Sequence, residues 1–218
     1  MFNGASNFSH DVDAIFLFTL IVSIFFLVLI TGLMIYFVIK YSRKRNPKAT
    51  NVHSNMGLEI AWTIIPTILV LIMFWYGWMG YTDMSEAPED ALTIEVTAQM
   101  WKWGFKYENG KTDDSLYVPV NKAIKLNLTS LDVNHAFYIP AFRIKKDVYP
   151  NQERSVWFKA EEIGKFDIAC AEYCGLNHSY MYNKINVLSE KDFDEWLATG
   201  VNSDSIAVKD STTQVMSN

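Results

Sequence analysis

Cysteine and histidine are scarce in this chain, with two Cys and four His in 218 residues. Two cysteines make no disulfide framework. The pair present, Cys170 and Cys174, would close so small a loop that a bridge would remove little unfolded-state entropy. No C-x-x-C-H occurs, which excludes a covalently attached c-type haem. Positive charge is also in deficit. The formal net charge is −5, and from Thr82 to Asn218 there are 14 Lys and Arg against 21 Asp and Glu, a balance of −7. A nucleic-acid partner would call for a basic face, so that class is set aside. An acidic domain instead attracts and steers basic partners. Long apolar runs are missing after residue 82, and internal repeats are missing throughout.

Charge itself is missing from two stretches near the start. Ala14 to Ile39, 26 residues, and Ile60 to Tyr81, 22 residues, contain no charged side chain. Each is long enough to cross a lipid bilayer. The first is no secretory signal, because Asp11 and Asp13 precede it and no small-residue cleavage site follows. Between the two lies Lys40-Tyr-Ser-Arg43-Lys44-Arg45-Asn-Pro-Lys48, five positive charges and no negative one, which the positive-inside rule places in the cytoplasm. Trp62, Trp75, Tyr76, Trp78 and Tyr81 suit interfacial belts. Pro66 predicts a local kink without a break. Glu59, read alone, is an acid favoured by the helix N-terminal dipole; an acid at a bundle interface would instead be a proton-path residue.

From Ala91 the pattern changes to short alternating segments. Leu92–Ala98, Ser115–Pro119, Ala123–Leu128, Arg154–Phe158, Lys165–Ala169 and Lys184–Val187 read as strands. Asn109-Gly110 and Pro150-Asn151 supply turns. A helix is predicted from the Ser189 N-cap to a stop at Gly200, followed by a Ser/Thr/Asn/Asp-rich tail. The expected organisation is an outer segment 1–13, a transmembrane hairpin 14–81 (spans 14–39 and 60–81, cytoplasmic loop 40–59), a small antiparallel barrel or sandwich at 82–200 and a polar tail 201–218.

The chemistry concentrates in Cys170-Ala-Glu-Tyr-Cys174-Gly-Leu-Asn-His178-Ser-Tyr-Met181. Thiolate, imidazole and thioether together are the donors of electron-transfer copper sites. Two thiols four apart, each able to bridge, point to two metals sharing sulfur. A structural zinc would be content with Cys and His, but Met181 would then have no purpose. A one-copper blue site uses a single Cys. A second terminal imidazole is needed, and topology removes His10 and His53 from the outer domain, which leaves His135.

C-x3-C-x3-H-x2-M after an upstream His, on a β domain behind a two-helix anchor, resembles subunit II of the haem-copper cytochrome c oxidases. Gln99-Met-Trp101-Lys-Trp103-Gly-Phe-Lys-Tyr107 and Leu58-Glu59-Ile-Ala-Trp62-Thr-Ile-Ile-Pro66 are similar to that family's aromatic segment and second-span start. The resemblance implies a membrane-anchored all-β protein, with a transmembrane hairpin, a cupredoxin-like barrel or sandwich and a short C-terminal helix. It implies that Cys170 and Cys174 bridge the two coppers of a CuA centre. His135 and Met181 would complete one copper, His178 and the Glu172 carbonyl the other. The Glu172 side chain would ligate a magnesium or manganese ion at a subunit interface, a hard cation suited to carboxylate oxygen. Trp101 would be the port for electrons from a c-type cytochrome, and Glu59 the entrance of a proton path. Partners would be the catalytic subunit I, other oxidase subunits and the bilayer of a plasma (inner) membrane, with the copper domain periplasmic. The activity implied is cytochrome-c oxidase, carried jointly with subunit I. The chain itself has no haem ligand set, so its part is a relay. The alternatives are a CuA subunit of a nitric oxide reductase and a membrane-tethered copper carrier. Lys106 stands where many relatives have an acid and Tyr182 where Pro is usual; Asp113, Asp114 and Asp132 are the acids expected to meet a basic cytochrome.

Overall fold

The computed structural model describes residues 4–48 and 54–199, in two compact units. His53, Gly200 and the tail 201–218 lie outside the described residues.

The helical unit, His10–Asp83, is built from α1 (Ser9–Lys40) and α2 (Met56–Ser85). Both run past the uncharged stretches that announced them. α2 begins four residues earlier than its apolar run because Asn55 caps it, Oδ1 accepting from the Leu58 amide at 3.2 Å. Pro66 sits inside a continuous α-helix. A Cβ added at Gly80 would lie 3.8 Å from Ile15 Cδ1, so the end of α2 runs beside the start of α1 and the pair is antiparallel. Nearly all the large apolar side chains of both helices point outward. Such a surface suits a lipid bilayer, and both helices are long and apolar enough to cross one.

The second unit takes Met84 onward together with the residues before His10. Among the described residues, ten strands form two five-stranded sheets. The first has the order β3 (Thr112–Asp113), β2 (Lys102–Tyr107), β1 (Leu92–Gln99), β5 (Ala123–Ser130) and β8 (Arg154–Lys159). The second has β4 (Leu116–Pro119), β10 (Tyr182–Leu188), β9 (Gly164–Cys170), β6 (His135–Ile139) and β7 (Ile144–Val148). Alternation aims Ile94, Val96 and Ala98 of β1 inward, as it does Ile124, Leu126 and Leu128 of β5. These meet Phe137, Ile139, Ile168 and Ile185 of the other sheet in one core. The expected all-antiparallel arrangement is corrected: β1 runs parallel to β5 and β4 parallel to β10. Period-two patterning orients side chains but carries no information on the direction of the neighbouring strand.

Two features lie beyond the sequence reading. Residues 5–9 belong to the sandwich. Ala5 pairs with Ala141 and Glu161, Asn7 with Lys159, and the Ser6 hydroxyl donates to the Phe142 carbonyl at 2.8 Å. Phe8 packs edge-on against Trp157, centroids 4.8 Å apart. The C-terminal helix α3 (Glu190–Ala198) starts at the Ser189 cap, as expected. Its end is held by buried Lys111, whose ammonium donates to the Trp196 and Thr199 carbonyls and lies 3.7 Å from the Trp196 ring centroid. A cation there meets the negative end of the helix dipole.

Candidate metal centre

The ligand loop hangs from the middle of the second sheet. His135 opens β6 and Cys170 closes β9, and these strands are neighbours with Phe137 opposite Cys170. The Ala171 amide donates to Ala136 O at 3.0 Å and the Cys170 amide to Met181 O at 3.2 Å. The loop therefore returns to its origin, and a 3-10 turn at His178–Tyr180 turns its last donors inward.

Around the two sulfurs the donors gather closely. Cys170 Sγ lies 3.8 Å from Cys174 Sγ, 3.8 Å from His135 Nδ1 and 3.2 Å from the Glu172 carbonyl oxygen. Cys174 Sγ lies 3.5 Å from His178 Nδ1 and 3.7 Å from Met181 Sδ. Both cysteines are free. His135, Cys170, Cys174 and Met181 are buried. Sulfurs 3.8 Å apart can each bond the same metal ion, because metal–thiolate distances are about 2.3 Å. The set has six donors, more than one tetrahedral ion accepts, and it suits a pair of soft-to-borderline ions. Burial pushes both thiols up; His135 and backbone hydrogen bonds outweigh it at Cys170 and bring that thiol down, whereas the Cys170 charge drives Cys174 up further. Two thiolates side by side in a buried site call for a cation between them.

Asp132 is the residue the sequence reading misplaced. Expected as a surface acid for a cytochrome, it turns toward the site with its side chain only 21% exposed. Its Oδ1 accepts from His135 Nε2 at 2.8 Å and from the Val133 amide at 2.7 Å, while Oδ2 accepts from the Met100 amide at 2.7 Å. A carboxylate can only accept here, so the proton sits on Nε2 and Nδ1 is left as the donor toward metal. Burial raises the Asp132 carboxyl, but these hydrogen bonds prevail and hold it below the usual range. Carboxylates behind ligating imidazoles are worth about 10- to 100-fold in metal affinity. Asp132→Ala is therefore expected to weaken copper binding by about that factor, measured by chelator competition; unchanged affinity would make the contact incidental. An Asp three residues ahead of a ligand imidazole was the available signal.

Trp101 lies in the β1–β2 turn beside the ligand loop. A Cβ at Gly175 would come within 3.4 Å of its Cζ2 and Nε1, and Gly175 has φ +117. The positive φ favours glycine there, while a Cβ would stand at van der Waals distance from the indole. The Glu172 side chain points away from the sulfurs: Oε1 accepts from Lys145 Nζ at 2.8 Å, and Lys145 also reaches Asp147 at 2.9 Å. Glu59 lies in the first turn of α2. Lys106 forms an exposed ion pair with Glu95 at 2.9 Å.

Fold and site together define a membrane-anchored, cupredoxin-like domain with a buried His and two-Cys cluster that could hold a metal ion. Residues 67–188 match the family described as cytochrome c oxidase subunit II, periplasmic domain, and residues 1–77 match its transmembrane domain. The chain belongs to the cytochrome c oxidase subunit II family. It is 29% identical over 220 residues to cytochrome c oxidase subunit 2 of Cereibacter sphaeroides, covering 83% of this chain and 73% of that one. It is 37% identical over 185 residues to the protein of the same name from Alkalihalophilus pseudofirmus, covering 78% of this chain and 54% of that one. The crystal structure of the periplasmic domain of cytochrome oxidase subunit II from Bradyrhizobium japonicum matches at 36% identity and a TM-score of 0.49, over 51% of this chain and 94% of that one.

Proposed function

We propose that this chain is the electron-entry subunit of its oxidase. It takes electrons from a c-type cytochrome at Trp101 and passes them to haem in the catalytic subunit, which reduces oxygen to water and pumps protons. The observation that carries this reading is the sulfur pair 3.8 Å apart with four further donors within 3.8 Å of one sulfur or the other. Copper bound there supplies a one-electron couple shared over two ions. Cys170, Cys174, His135, His178, Met181 and the Glu172 carbonyl would hold the copper, with the two thiolates as the donors able to be shared between ions. A frame tied into two strands and pinned by Asp132 moves little when charge changes, which keeps electron transfer fast. Tyr173, Leu176 and Tyr180 are 80%, 86% and 80% exposed around the loop. Aromatic surface of this kind suits a partner subunit's interface.

The remaining roles follow the same reading. Sidedness comes from the five-cation loop after α1, which holds the copper domain on the periplasmic face. Glu59, at the other end of α2, serves as the entrance of a proton path. A magnesium or manganese ion on Glu172 would have to draw that carboxylate from Lys145 and complete its oxygen set from the neighbouring subunit.

The test is the full-length chain in detergent, loaded with copper. Two coppers per chain and an EPR pattern of one electron shared over two nuclei are expected. A single-copper spectrum, or zinc held in preference, would overturn the reading.

A further inference from the structure

The two imidazoles of the centre have unequal surroundings. His178 is part-exposed, and the ring nearest it, Tyr173 with centroids 5.9 Å apart, lies at the surface. His135 is fully buried. Asp132 holds its Nε2, Cys170 faces its Nδ1, and a third neighbour closes its flank: the indole of Trp103. Trp103 stands on β2 of the first sheet, opposite Ala98, and reaches across the core to β6 of the second. Its ring centroid is 6.1 Å from that of His135 at 64° and 5.2 Å from that of Phe137 at 88°. The residue is 1% exposed, and its Nε1 makes no hydrogen bond. A buried, unpaired indole donor is costly, where Phe would fill a core without that cost.

We propose that Trp103 is a positioning residue of the metal centre, which fixes the His135 ring plane and keeps water from that pole of the site. Asp132, the metal and the Cβ attachment restrain three points of the ring, and the indole packed on its flank limits the libration that remains. The apolar shell around a metal site sets solvent access and with it the redox potential. The sign follows from charge. Two thiolates with two coppers give a core of charge +1 when oxidised and 0 when one electron has been added. Water beside His135 would favour the charged form, so the dry indole wall favours the reduced one. This inference rests on the copper reading above.

The experiment uses the full-length chain loaded with copper. It reads copper content, the hyperfine coupling of the His135 nitrogen, and the equilibrium with a one-electron mediator. Trp103→Leu is expected to keep two coppers, change the His135 coupling and shift the mediator equilibrium by about tenfold toward the oxidised form. Trp103→Phe, which retains a ring, should move both readouts the same way but less. Phe158→Leu serves as a stability control, because Phe158 is equally buried but packs on Phe142 rather than on a ligand. It should lower Tm and leave the equilibrium in place. If both Trp103 variants lower Tm as Phe158→Leu does and leave coupling and equilibrium at wild-type values, Trp103 is core packing and the proposal fails. Should Trp103→Leu not fold, Trp103→Phe decides on the same readouts. A wild-type chain without the shared-electron spectrum overturns the copper reading, and this inference with it, before any variant is made.

Discussion

Cys174→Ser is expected to abolish the shared-electron spectrum and leave at most one copper per chain. Cys174 Sγ is the hub of the donor set, within 3.8 Å of Cys170 Sγ, His178 Nδ1 and Met181 Sδ. A serine hydroxyl is nearly isosteric but a hard, weakly acidic donor, poorly suited to copper beside a thioether. The loss should exceed the roughly 10- to 100-fold cost of an outer-shell change such as Asp132→Ala. Folding should survive, because the thiol's burial comes from the loop and its removal opens no cavity. Copper content and EPR of the purified full-length variant check this. A variant that kept two coppers and the shared electron would remove bridging from the account of this site.

That cluster was legible because four of its side chains fall within twelve residues, and a soft donor set has few competing explanations. His135 was reached by elimination: His53 falls in the expected cytoplasmic loop, and His10 lies ahead of the first span, away from the strand-forming residues. The strands that went unread have physical reasons. β6 is buried along almost its whole length, so His135-Ala-Phe-Tyr-Ile139 shows no alternation. β7 is an edge strand with charge in its middle. β2 did alternate, with Trp103, Phe105 and Tyr107 facing in, but its aromatic richness drew a functional reading before a structural one. The strap at residues 5–9 is too short to carry a period. What no local pattern could supply is the second shell. Asp132 was read as a surface acid because its partners, the Met100 amide and the His135 imidazole, meet it only after the β1–β2 turn has folded over the loop before β6. Trp103 joins His135 only across the two sheets.

Trp101→Phe should slow reduction by a c-type cytochrome at least tenfold, a barrier increase of about 1.4 kcal/mol, with copper content and EPR unchanged. The indole meets the ligand loop through Cζ2 and Nε1, the two atoms 3.4 Å from the position a Gly175 Cβ would take. Gly175 is bonded directly to Cys174. An electron on the ring is therefore beside the residue that follows Cys174. Phenylalanine in the same rotamer ends short of both atoms and opens a gap at that contact. The structural cost of the change is small, because Trp101 Nε1 makes no hydrogen bond that Phe would forfeit, and the ring sits in a turn rather than within a strand. Stability and electron entry can therefore be separated in one variant. A small-molecule reductant that approaches the exposed rim near His178 should reduce Trp101→Phe at the wild-type rate. Equal slowing with both reductants would make Trp101 a support of the ligand loop, and no slowing with either would make it packing. Only slowing confined to the cytochrome identifies a port.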